Sequence, residues 1–174
     1  MNHEKLFPHL VRGMQSPDHP DVGHGLVVQL IEHLESKQGR VSPEQLQEAG
    51  LSPENARRIA LENLARFADE SPDLSVQVLG TPGGPIHLLL YADHPLASAC
   101  LLLPDLYEHA AEMLHETELL ACVPQAESLV VFPAAIREAV VAKLREIEAD
   151  AARPLTFELF SLSANGVVPF TPAR

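Results

Sequence analysis

No tryptophan occurs in this 174-residue chain, and aromatic residues make up only 5% of it. Its core must therefore be built mainly from Leu, Val, Ile and Ala. Cysteine is nearly as scarce. Cys100 and Cys122 lie in apolar surroundings (Ala-Ser-Ala-Cys-Leu-Leu-Leu and Leu-Leu-Ala-Cys-Val-Pro) and form no Cys-x-x-Cys pair. They read as small buried core residues in a reducing compartment. A chain of this length buries roughly 70% of its unfolded surface, so it needs neither a disulfide nor a metal staple. No apolar run approaches the ~18 residues of a membrane span. The N-terminal stretch Met-Asn-His-Glu-Lys-Leu-Phe-Pro-His lacks the apolar centre of a signal peptide. The expected location is the cytoplasm, with no membrane association.

Positive charge is also in short supply: 12 Lys+Arg against 24 Asp+Glu give a net charge of −12 with His neutral. Such a surface repels a nucleic-acid duplex unless a local basic patch overrides the total. The acids are scattered singly rather than clustered, which fits a solvated surface and not a polyanion mimic. The familiar catalytic signatures are missing too. There is no Gly-x-Ser-x-Gly elbow, no His-Glu-x-x-His, and the Pro82-Gly83-Gly84-Pro85 turn lacks the Lys-Ser/Thr of a phosphate-binding loop. No cofactor is implied.

What is present is a change of pattern near Pro72. Residues 1–24, rich in Pro, Asp and His, read as an irregular N-terminal arm. Residues 25–70 read as a helical segment. Val27, Leu30, Ile31 and Leu34 recur at helical spacing over 25–36. Ser42-Pro43-Glu44-Gln45 is a capping box with proline at the first helical position, and Ser52-Pro53-Glu54 repeats the start signal. The helix it opens carries Ala56, Ile59, Ala60, Leu64 and Phe67 on one face. Residues 71–174 then read as a sheet domain. Leu74, Val76 and Val78 alternate with polar partners, 86–92 and 97–103 are apolar runs, and Asp105 with Glu108 caps a helix to about His115. A strand at 128–132, a long helix striped by Ile136, Val140, Leu144 and Ile147, and a hairpin around Asn165-Gly166 complete the order β-β-β-α-β-α-β-β. The expected fold is α+β, with N-terminal helices and a mainly antiparallel or mixed sheet on which helices pack. Residues 25–174 are expected to form one globular unit.

Over about 52–170 the chain resembles the YtpQ-like bacterial proteins, a family defined as a domain of unknown function. The likeness is carried by Ile59-Ala60-Leu61-Glu62-Asn63-Leu64, Ala97-Ser98, Val123-Pro124, Leu129-Val130-Val131, and Phe160 with Gly166 and Pro169. It implies a shared fold and brings no catalytic residue with it.

Three constellations invite a functional reading. Asp93-His94 at the junction of two apolar runs, with Ser98 interrupting the second, could hold a ligand or share a proton near neutrality. The alternative is plain turn chemistry, since Asp-His-Pro is a good turn sequence. His109, Glu112 and His115 place imidazole and carboxylate groups one helical turn apart, as a metal site would, although the second Glu-x-x-His of a di-metal bundle is missing. Asp18-His19-Pro20-Asp21 with His24 is a weaker cluster of the same kind. The helical pair over 42–68 could form a helix-turn-helix presenting Arg57 and Arg58, but acids outnumber arginines there, and packing is the simpler reading. The expectation is a non-catalytic binding or regulatory module for an unidentified protein or small molecule. A metal-dependent hydrolase and a DNA-associated regulator are the alternatives.

Overall fold

The computed structural model describes residues 1–16, 19–34, 37–80, 87–148 and 154–172. The chain divides into two compact units, Met1–Ser71 and Pro72–Arg174, and not into the single unit expected over 25–174. The division falls where the hydrophobic pattern changes. Both units combine helices with antiparallel sheet, so the fold is α+β. Among the described residues no helix is long and apolar enough to cross a membrane.

The first unit departs most from its sequence pattern. The expected irregular arm instead supplies a 3-10 turn, His3–Lys5, and two strands, β1 (Leu6–Arg12) and β2 (Asp21–Gly23). The expected helix over 25–36 is a strand, β3 (Leu26–Leu34), followed by β4 (Lys37–Arg40). Leu26 and Leu30 point to one face of β3 and Val27 and Ile31 to the other, and all four are buried. Burial on both faces produces an apolar run whose spacing happens to match a helix. The turn into β3 settles the matter locally. His24 (φ 54°) and Gly25 (φ 74°) form a two-residue loop with both residues left-handed, the hairpin geometry that suits strand twist. β3 is the central strand, with β1 along one side and β2 then β4 along the other. As an edge strand, β1 tolerates Pro8.

The two capped helices form as their sequences demand. Ser42 accepts from the Gln45 N–H while the Gln45 side chain accepts from the Ser42 N–H, opening α1 (Pro43–Glu48). Ser52 accepts from the Asn55 N–H and opens α2 (Pro53–Glu70). Leu46, Ala56 and Ala60 bury against Leu6 and Leu30 of the sheet. Asn63, buried on α2, donates from Nδ2 to the carbonyls of His3 (2.7 Å) and Leu6 (2.8 Å), and its Oδ1 accepts from Arg66 (2.7 Å). This amide ties the long helix to the start of β1.

The second unit is a six-stranded antiparallel sheet in the order β10-β9-β7-β8-β6-β5. Its strands are β5 (Ser75–Gly80), β6 (His87–Ala92), β7 (Leu119–Gln125), β8 (Ser128–Pro133), β9 (Phe160–Ser163) and β10 (Gly166–Pro169). β7 and β8 are buried on both faces. Leu120, Cys122, Val130 and Phe132 form one core with Val140 and Leu144 of α4 (Arg137–Glu148). The alternate residues Leu119, Ala121, Leu129 and Val131 turn to the opposite face, where α3 (Leu106–Leu114) packs on β6, β7 and β8. Pro124 sits at a register shift between Cys122 and Gln125, the kind of irregularity in which a strand accommodates proline.

Three further expectations are corrected here. The run over 97–103 is a 3-10 helix, Ser98–Leu102, because Ala-Ser-Ala-Cys favours no strand and all of Ser98–Leu101 is buried. Asp105 precedes α3 without a side-chain capping bond, so no capping box with Glu108 forms. β7, which is apolar from Leu119 to Pro124 and so shows no alternation, had no expected counterpart. The C-terminal hairpin forms, with Ala164 and Asn165 in the loop and Gly166 at φ 109° closing it. The turn expected at Thr81–Pro85 and the side chain of Ile147 lie outside the described residues.

Candidate functional site

The sequence of α4 places Arg137, Val141 and Arg145 on one stripe, at spacings of four, and Glu138 and Ala142 beside it. The neighbouring stripe, Val140 and Leu144, is committed to the core. A helix with one buried stripe must leave the adjacent one at the rim, and here that rim forms one wall of a groove. The other wall is the extended stretch Phe157-Glu158-Leu159 that leads into β9. It is shaped locally by Thr156, which is buried and whose Oγ1 accepts from the Glu158 N–H at 3.1 Å. Phe170 closes one end. Its N–H donates to the Leu159 carbonyl at 2.8 Å, and the Arg137 guanidinium lies 5.5 Å from its ring centroid.

The groove is open to solvent and has a volume of about 400 Å³, within the size range of small-molecule sites. Val141, Phe157, Leu159 and Phe170 supply apolar surface, and Arg137, Arg145, Glu138 and Glu158 supply charge. Glu138 is 4.0 Å from Arg137 and 93% exposed, a contact too long and too wet to hold the guanidinium. The stacking on Phe170 is what orients Arg137. Eight residues of helix put the Cα atoms of Arg137 and Arg145 about 12 Å apart along the axis. The groove thus offers two cationic anchors with an apolar floor between them.

The residues singled out from the sequence lie elsewhere, and they do not converge. Asp93 is exposed and left-handed (φ 68°), a conformation that Asp accepts in turns. His94 Nδ1 accepts from the Leu96 N–H at 3.1 Å, so the imidazole caps its own turn. Ser98 is fully buried, with its N–H on the Ala126 carbonyl and, among the described residues, no partner for its hydroxyl. Two of the three residues therefore serve the turn and the third faces the interior.

The metal candidates are not brought together either. Among the described residues no group of three or more His, Cys, Asp or Glu is arranged to hold a metal ion. His109 and Glu112 are exposed on α3, but the helix ends at Leu114. His115 is its left-handed C-cap (φ 55°, ψ 37°), which takes the imidazole off the helical face that the spacing assumed. In the N-terminal cluster, His19 Nε2 lies 2.9 Å from the Arg40 guanidinium, which can only donate. Nε2 therefore accepts, Nδ1 carries the hydrogen and donates to Ser16 Oγ at 2.9 Å, and both ring nitrogens are engaged. Asp18 lies outside the described residues.

The helical pair exists, but its apolar face is spent on the sheet of the first unit, and Arg58 pairs with Glu62 at 2.6 Å. The thiols are buried and unbridged, as expected. Burial pushes Cys100 up to about 12, which removes it as a nucleophile near neutral pH.

Sequence reasoning missed the groove itself. A signal was there: two of only twelve basic residues fall on one stripe of α4. The opposing wall is remote in sequence, and nothing in its residue pattern announces that it faces that stripe. No protein-family model, curated protein or solved structure matches this chain.

Proposed function

We propose that this protein is a non-catalytic binding module whose ligand occupies the groove between α4 and Phe157–Leu159. The observation that carries the reading is the pairing of Arg137 and Arg145 across an apolar floor, in a chain whose overall charge is −12. Such a site selects an amphipathic anion, a small molecule with a carboxylate or phosphate group and an apolar or aromatic body. The guanidiniums fix the anionic end by bidentate hydrogen bonds, and Phe157 and Phe170 take the body. Glu138 and Glu158 at the rim disfavour ligands that are anionic throughout. The committed imidazole of His94 and the high-pKa thiol of Cys100 support a binding role over a catalytic one. The two buried thiols are consistent with a reducing, cytoplasmic setting. The likeness to the YtpQ-like family rests on residues that hold the fold, such as Asn63 and Phe160, and lends the proposal no chemistry.

The test is a thermal-shift and calorimetric screen of aromatic and aliphatic carboxylates and phosphates against their neutral analogues. The expected result is stabilisation by anionic amphiphiles that is lost in Arg137→Ala/Arg145→Ala; Arg145 is exposed and Arg137 half-buried, so far-UV circular dichroism checks that the variant remains folded. Ligands that stabilise both proteins equally, or a screen with no anion preference, would remove the groove from consideration.

A further inference from the structure

Seven large hydrophobic side chains are exposed among the described residues, and three of them, Val76, Val78 and Leu79, lie in the six residues of β5. Among the described residues that strand pairs with β6 alone and forms one edge of the sheet. In an antiparallel pair alternate residues bond to the neighbour, and the others turn their N–H and C=O outward. β5 therefore presents both unpaired backbone groups and apolar side chains. The opposite edge differs. β10 has four residues and ends in Pro169, and the next N–H, that of Phe170, is tied to Leu159. Natural edges are commonly blunted by proline, charge, a bulge or brevity. β5 has none of these: Ser-Val-Gln-Val-Leu-Gly is uncharged, and its register to β6 runs without a shift from Ser75↔Ala92 to Gly80↔His87.

We infer that β5 is a self-association edge, at which two copies of this chain pair antiparallel about a two-fold axis through Gln77. A two-fold interface must be complementary to itself, and this strand is. The axis sets Val76 opposite Val78 of the second copy and Val78 opposite its Val76, which gathers four valines on one face. Within each chain that face is the one carrying Leu89 and Tyr91, the β6 partners of Val78 and Val76, so the new valine cluster extends an existing apolar row. On the other face Gln77 meets Gln77 and Ser75 meets Leu79. Charge selects the same place, because two chains of −12 repel each other and β5 brings them together along an uncharged strip. A single strand pair buries less than a standard stable interface, so the dimer is concentration-dependent.

Sedimentation velocity of the full chain, over a concentration series from the micromolar to the millimolar range, is the test. The wild type should pass from monomer to dimer. Val76→Lys/Val78→Lys places lysines opposite lysines and should stay monomeric, as should Val76→Glu/Val78→Glu. Mixing the two variants sets lysine against glutamate and should restore a dimer of one copy of each. Both substituted positions are exposed edge sites, and far-UV circular dichroism checks that each variant remains folded. A wild type that stays monomeric throughout, a dimer that survives either double substitution, or failure of the mixture to associate overturns the inference.

Discussion

The amide of Asn63 allows a sharp test of how the first unit is held together. Its Nδ2 satisfies two backbone carbonyls at the entry to β1, one of them, that of Leu6, in a buried setting. Asn63→Leu keeps the approximate volume and removes both donors. The Leu6 carbonyl is left without its partner at a cost of about 1–3 kcal/mol, while the His3 carbonyl recovers water and costs only about 0.5–1.5 kcal/mol. The expected loss is therefore about 2–4 kcal/mol. With no Trp anywhere and both Tyr residues in the second unit, fluorescence does not report on this region. Amide hydrogen exchange read by mass spectrometry does. A loss of that size raises exchange in β1 and α2 roughly 30- to 700-fold, at tenfold per 1.4 kcal/mol. Exchange in β7 and β8 of the second unit provides the internal control. Arg66→Ala, which removes an exposed donor to Oδ1, should cost under about 1 kcal/mol. If Asn63→Leu leaves β1 protected within a factor of two, the amide is not what anchors the strand.

Other expectations concern the cores, the pH response and the thiols. Phe132→Ala empties a fully buried ring site between β8 and α4, and urea denaturation should show a loss of about 3–5 kcal/mol. His33 is held below its ordinary pKa, first by burial and second by the nearby Lys5 charge. The unfolded chain then binds this proton more readily than the folded one. The contribution is complete above about pH 6.5 and is lost as pH falls through the lower folded value. His33→Gln should flatten that part of a thermal-melt series across pH. Native Cys100 should resist iodoacetamide at pH 8 and react only on unfolding, because its thiol is buried and pushed up to about 12; rapid alkylation of the native protein would contradict this.

Legibility in the sequence followed the locality of the forces. Ser42 and Ser52 cap helices with atoms three residues away, so α1 and α2 could be placed from residue types alone. Gly166 and its neighbours fixed the C-terminal hairpin for the same reason. Strands buried on both faces were harder. β3 buries leucine on one face and Val27 and Ile31 on the other, and β7 is apolar through Pro124, so neither alternates cleanly: Leu26–Ile31 resembled a helix and Leu119–Gln125 resembled nothing in particular. The turn residues His24-Gly25 held the missing information for β3, since a left-handed pair joins strands and not helices. Asp93, His94 and Ser98 were recognised as polar residues among apolar ones, which is a statement about a turn as much as about a site. His115 was misread because spacing counts residues and cannot see that a helix stops. The groove depends on α4 meeting Phe157–Leu159, a tertiary fact with no local signature.

The double-sided burial of the β7–β8 hairpin has a consequence for how this sequence can change over time. Successive residues there answer to different neighbours: Val130 and Phe132 to α4, Leu129 and Val131 to the α3 side. A volume lost at Val130 can be compensated at Cys122 or Leu144, but no repacking around Val131 reaches it through the sheet. Accepted substitutions along the hairpin should therefore sort into two interleaved sets, each drifting with its own helix and nearly indifferent to the other. Two adjacent valines in one strand would then carry separate histories.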